Sequence, residues 1–293
     1  MFSAFFGHYL LNKGAVSKEE LNKVLSAQKK IRLQLGVLAI NASYMTAEQV
    51  EEVHLLQASL DRRFGEIAIM KGYLNDVQVS NLLTQQKSEH LILAQALIED
   101  KIMDIKTFEK EIVLYKKAHG LDDEQFEAIK KGDVDVVMTA FLAFENSSMS
   151  KFYIDFVTIF VKNIIRFVDS NVYIDRVEKV DSIMYEHLFK QDIKGPQKMF
   201  TAYAADDEAL LDIASKHAEE EFSEIEEYPL DSASEFLNLT NGLFIVNMSN
   251  AGTEMELTVQ EYIHNASLTP KNPVYRIPVH ISSGTIYLHV GEA

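Results

Sequence analysis

Asp231, Glu235 and Asn238, within the stretch DSASEFLNLTNGLF at residues 231–244, are the side chains whose types and spacing could act together. A carboxylate can pair with a cation. A neutral carboxamide both donates and accepts hydrogen bonds, so it can orient a polar molecule without repelling an anion. Spacings of four and three residues put all three on one ridge of an α-helix. The capping types Asp231, Ser232 and Ser234, with Pro229 just outside and an apolar pattern at Phe236, Leu237, Leu239, Leu243 and Phe244, predict a helix beginning near residue 232. Such a ridge is ordinarily just the solvated face of an amphipathic helix. Gly242, inside an apolar run that favours better helix formers, points instead to close packing against another backbone.

The elements around this helix come in a definite order. A long helix over 150–168 precedes strand-like segments at 173–180, 186–193 and 198–204. A helix over 206–222 leads into the motif helix, and a strand at 255–262 and a hairpin over 274–290 turning at Ser283 and Gly284 follow. Helices set against consecutive antiparallel strands predict an α+β domain over residues 150–293, with the helices packed on a mainly antiparallel sheet.

The first 118 residues are built differently. Gly7, Gly36, Gly65 and Ala94 recur every 29 residues, and the segments around them align without gaps. Each copy continues to Gly14, Ser43, Gly72 or Lys101, and the first three end at Gln28, Gln57 and Gln86. Each reads as a short helix, a turn where positive φ is cheap, and a second helix begun by Ser17, Thr46 or Asn75. One copy is too small to bury its apolar face, so four stacked copies are expected, an all-α tandem repeat over 1–118. Residues 119–149 read as a helical connector, with helices opened by Asp122 and Asp123 and by Asp133 and a break at Gly132.

Charge is divided unevenly. Residues 1–118 carry 15 Lys+Arg against 14 Asp+Glu, residues 119–293 carry 13 against 30, and the whole chain stands at −16. The acidic half argues against nucleic acid as a partner. Zero cysteines excludes disulfides and thiolate chemistry and fits a reducing, cytoplasmic setting. The longest apolar run, FYIDFVTIFVKNIIRFV, is interrupted by Asp155, Lys162 and Arg166, so no membrane span is expected. The nine histidines show no i, i+4 pairing with a further ligand, and no metal site is assigned. An antiparallel sheet edge would allow a homodimer.

Asp231-x3-Glu235-x2-Asn238 resembles the D/S-x3-E-x2-N pattern of the CheC/CheX/FliY chemotaxis phosphatases, and the element order over 150–293 is similar to theirs. The resemblance implies hydrolysis of the aspartyl phosphate on a CheY-type receiver domain, whose own Mg2+ and lysine supply charge stabilisation; this chain would need no cofactor of its own. Glu235 would pair with the receiver lysine and Asn238 would hold the attacking water. Asp231 would cap the helix or contact the partner. Two departures stand out. The family proline downstream of the asparagine is replaced in the neighbourhood of Val259, Gln260 and Glu261, and the second E-x2-N of some members is replaced by Asp155, Ile159 and Lys162. One site is therefore expected, with a non-catalytic receiver-binding adaptor as the alternative.

The 29-residue repeat resembles the MshEN modules of type II secretion ATPases, some of which bind cyclic di-GMP. The third copy carries the motif at Arg63, Phe64, Gly65, Gly72 and Gln86, and the first at Gly7, Gly14 and Gln28. Phe5 and Gln34 replace the arginine in the first two copies, and Ala94 and Lys101 replace both glycines in the fourth. The resemblance implies a targeting or sensing module, with cyclic di-GMP as its ligand or with a protein-docking or purely structural role in place of nucleotide binding.

Overall fold

The structure, a computed structural model, describes residues 2–27, 34–60, 62–84, 89–144 and 148–293. The chain divides at Gly132 into two compact units, Phe2–Gly132 and Asp133–Ala293. Residues 119–149 are thereby divided too, because each connecting helix follows the apolar surface it buries.

In the first unit, helices pair as α1 (Phe2–Asn12) with α2 (Lys18–Ala27), α3 (Leu35–Asn41) with α4 (Ala47–Leu60), α5 (Phe64–Met70) with α6 (Asp76–Thr84), and α7 (Glu89–Glu99) with α8 (Ile105–His119); α9 (Asp123–Lys130) follows. The four turns close with the same hydrogen bonds. Gly14 N–H donates to Leu11 O and Ala15 N–H to Leu10 O; Ser43 and Tyr44, Gly72 and Tyr73, and Lys101 and Ile102 repeat the arrangement. The turn residue is left-handed each time, at φ 73° for Gly14 and Gly72 and 56° for Ser43 and Lys101.

Ser17, Thr46, Asn75 and Asp104 then open the second helices by accepting from the backbone N–H three residues on. Gly7 and Gly36 let paired helices touch: a Cβ at Gly7 would stand 2.6 Å from Leu21 Cδ1, and one at Gly36 2.7 Å from Val50 Cγ1. Leu38, Val50, Val53, Ile67, Leu82 and Leu91 pool into one core across α3 to α7. Phe126 of α9 packs edge-on against Phe2 at 5.9 Å.

The second unit contains α10 (Val134–Phe141), α11 (Ser150–Asn163) ending in a π turn over Ile164–Val168, α12 (Asp207–Ala218) and α13 (Glu227–Asn250). Its strands are β1 (Tyr173–Ile174), β2 (Glu178–Val180), β3 (Ile183–Lys194), β4 (Met199–Ala205), β5 (Glu256–Leu257), β6 (Glu261–Leu268), β7 (Val274–Ile281) and β8 (Gly284–Glu292). All pair antiparallel in the order β1-β7-β8-β4-β3-β5, with β2 also on β7 and β6 also on β3.

Strand β4 shows why both faces are buried. Thr201 and Tyr203 point to the helices, where the Tyr203 ring lies 5.8 Å from Phe160 and its hydroxyl donates to Ala233 O. Phe200, Ala202 and Ala204 alternate to the other face, into a cluster with Ile183, Leu188, Ala266 and Val274. Phe160 also meets Phe236, and Phe156 meets Phe244, clamping α11 to α13 over the sheet.

Two expected strands are each split. Residues 173–180 form β1 and β2, both on β7. Residues 255–262 give β5 and the start of β6; between them Thr258 N–H still donates to Asp192 O at 2.9 Å, but Asp192 N–H goes to the Thr258 hydroxyl at 3.0 Å in place of a backbone carbonyl. The hairpin turns at Ser282 and Ser283, with Gly284 already paired to Ile281. Among the described residues, no helix is long and apolar enough to cross a membrane.

Candidate functional site

Helix α13 starts at Glu227, about a turn earlier than the capping types predict. Pro229 lies inside its first turn, where a missing N–H costs no helical bond. Asp231 therefore does not cap the helix; it is an exposed residue of the second turn. Ser232 and Ser234 are buried, and Ser232 Oγ donates to Ala214 O of α12 at 2.9 Å.

Phe236, Leu237 and Phe244 face the core, but Leu239 and Leu243 do not; with Tyr228 and Val246 they are exposed. Gly242 departs from expectation as well: a Cβ built there would meet nothing within 4 Å. The outer face of α13 thus carries Asp231 and Glu235 exposed and Asn238 half-buried, beside an apolar strip with a flat spot at Gly242.

Glu235 and Asn238 are joined, and Asn238 is held from behind. Asn238 Nδ2 donates to Glu235 Oε2 at 3.2 Å. Gln191 of β3, 1% exposed, donates through Nε2 to Asn238 Oδ1 at 2.9 Å and to Thr258 O at 2.8 Å. Its Oε1 accepts from Asn241 Nδ2 at 2.7 Å, and the same Asn241 nitrogen reaches Thr201 Oγ1 at 3.0 Å.

This network decides which way the amides point. Thr258 O can only accept, so the Gln191 atom facing it is nitrogen, and the Asn238 atom facing that nitrogen is oxygen. One N–H and one oxygen lone pair of Asn238 remain for an incoming group. From the open side, Gln260 Nε2 donates to Glu235 Oε1. His217 of α12 lies near enough for the Glu235 carboxylate to favour its charged form, yet burial dominates and pulls its pKa below the ordinary histidine value.

Gln191, Thr201, Asn241, Thr258 and Gln260 escape the sequence reading, although one signal is visible for the first. Phe189, Gln191 and Ile193 alternate along one strand face, so a glutamine takes an inward position and must have a partner.

The first unit distributes its expected ligand residues differently. Arg63 is exposed, and its backbone N–H donates to Glu66 Oε2 at 3.1 Å. Phe64 is buried, its ring 5.1 Å from that of His54. Gly7 and Gly65 are buried helix contacts, whereas Gly14 and Gly72 form left-handed turns. Gln28 and Gln86 lie outside the described residues.

Among the described residues, one group has the composition of a metal site: Glu186, His187 and His264, whose donor atoms lie within 4.8 Å of one another. Helical spacing could not reveal it, because the two histidines sit on different strands.

No family model and no curated protein matches the chain. Solved structures do match about half of it. It is similar to the chemotaxis protein CheX from Desulfovibrio desulfuricans, at 14% identity over 49% of this chain and 99% of that one, with a TM-score of 0.41. It is also similar to the CheX–CheY–BeF3–Mg2+ complex from Borrelia burgdorferi, at 13% identity over 48% and 96%, TM-score 0.40. FliY from Thermotoga maritima matches at 11% identity over 46% and 83%, TM-score 0.35.

Proposed function

We propose that the second unit is a phosphatase for the aspartyl phosphate of CheY-type receiver domains, with Asn238 and Glu235 as its catalytic residues. The observation that carries this reading is an open carboxylate–carboxamide pair whose amide is fixed by a buried glutamine. It is joined by the spacing Asp231-x3-Glu235-x2-Asn238. In the reaction a water oxygen bonds to phosphorus as the bond from phosphorus to the aspartyl oxygen breaks. The receiver carboxylate and inorganic phosphate depart, and the proton of the water passes to phosphate or solvent.

Mg2+ and a lysine of the receiver neutralise the phosphoryl oxygens, so this chain supplies positioning. The free N–H and lone pair of Asn238 hold the water, and neutrality keeps the amide from repelling the phosphate. Glu235 exchanges its Gln260 contact for the receiver lysine. Asp231, Leu239, Leu243 and Val246 provide surrounding contact area. The first unit serves targeting or sensing, with Arg63 placed in the open to meet an anionic ligand.

Release of phosphate from a labelled receiver, with and without the chain, tests the reading. Asn238→Ala is expected to lower the accelerated rate by about 100-fold, the usual effect of removing one preorganised polar group. If the native chain binds the receiver yet leaves its dephosphorylation rate unchanged, the adaptor alternative replaces the enzyme.

A further inference from the structure

We propose that Glu186, His187 and His264 bind one divalent transition ion of the zinc class across β3 and β6, with water completing the coordination. The two histidines are direct partners in the β3–β6 register, and their rings lie 5.4 Å apart. His187 Nε2 is 3.9 Å from Glu186 Oε1, and all three donors fall within 4.8 Å. Tetrahedral zinc with bonds of about 2.0–2.1 Å sets its ligands roughly 3.3 Å apart, so side-chain rotations that shift the donors by about 1 Å complete the site.

Two further features single this group out from an ordinary cross-strand pair. The Tyr262 hydroxyl lies 2.7 Å from His187 Nδ1 and 3.3 Å from His264 Nδ1. When both rings donate Nδ1–H to that oxygen, both Nε2 lone pairs are left for a metal, the usual arrangement in which an outer hydrogen bond sets the tautomer of a ligating histidine. The Tyr262 ring also stacks on His187 at 5.9 Å and 18°.

The second feature is an interruption in the ladder. Glu186 and Asn265 stand opposite each other but are missing from the register, and Asn265 has φ 52°. Adjacent residues of a regular strand point to opposite faces. Here the break lets neighbouring Glu186 and His187 bring their donor atoms together. Two imidazoles select zinc, nickel or copper over magnesium or calcium. A bound ion would fasten β6, which among the described residues pairs only with β3. Gln260, the grip on Glu235, immediately precedes that strand.

Calorimetry of the untagged full-length chain with zinc chloride, joined to visible absorption of the cobalt form, tests the site. The expected result is one ion per chain and the intense cobalt bands of a four- or five-coordinate site. His264→Ala changes an exposed side chain and should abolish the bands. Tyr262→Phe should weaken binding by roughly tenfold while circular dichroism stays unchanged, since it removes only the outer hydrogen bond. The absence of stoichiometric binding, or binding untouched by His264→Ala, overturns the proposal.

Discussion

The Asn238 amide has its direction imposed by a residue that never reaches the surface. Replacing Gln191 with leucine keeps the bulk but removes the donor, so Asn238 can rotate and Asn241 loses an acceptor. The expected result is a 10- to 100-fold fall in kcat for phosphate release, about what a misoriented group costs, with KM for the receiver little changed. Stability should fall by about 1–3 kcal/mol from the stranded polar groups, read by urea unfolding. A second residue governs behaviour in acid. Burial, with Arg276 adding, pushes His289 down to about 4, and its Nδ1 finds no hydrogen-bond partner among the described residues. The unfolded chain takes up that proton near the ordinary histidine value of about 6.5. The unfolded state therefore binds more protons between those two values, so this contribution is intact above pH 6.5 and lost as pH falls toward 4. About 2 kcal/mol should be lost between pH 6.5 and pH 5. His289→Leu should flatten that part of the stability profile relative to the native chain. Glu235 and Asn238 were legible because helical period alone places them together. Gln191, His187 and His264 were not, because their partners lie on other strands and pairing register is not a local property.

At the scale of elements, the first unit repeats one turn with unequal residues. Gly14 and Gly72 occupy left-handed backbone without strain, whereas Ser43 and Lys101 adopt it with a Cβ. Lys101→Gly should therefore stabilise the chain by about 1 kcal/mol, with Lys101→Asn between, as thermal melts would show. The 29-residue spacing of Gly14, Ser43, Gly72 and Lys101 made these four turns visible in the sequence. Elements of the second unit were harder to bound. The start of α13 was masked by a proline that the first turn tolerates, and the latter half of β6, HNASL, has too little apolar alternation to announce a strand. Capping types misled for a related reason: Ser232 turns its hydroxyl to α12 instead of to its own backbone.

On the scale of the whole chain, the division at Gly132 assigns α10 to the second unit. Val137 and Met138 of that helix are fully buried, and Lys162 of α11 pairs with Asp135 at 2.7 Å. A fragment over 133–293 should unfold cooperatively in urea. One starting at residue 150 loses Leu142, Phe144 and Met149 as well as Val137 and Met138, all buried, and at roughly 1.5–3 kcal/mol for each such side chain it should fail to hold its fold. Gly132 and Asp133 were visible as a break between helices, but local sequence cannot say which neighbour a connecting helix will bury itself against. Gly242 has a related consequence. An alanine there would touch no atom within 4 Å and would favour the helix by about 1 kcal/mol, so the bareness of that position does nothing for the chain in isolation. On the proposed docking face, that missing methyl would let the surface of a receiver come closer to the helix backbone beside Asn238.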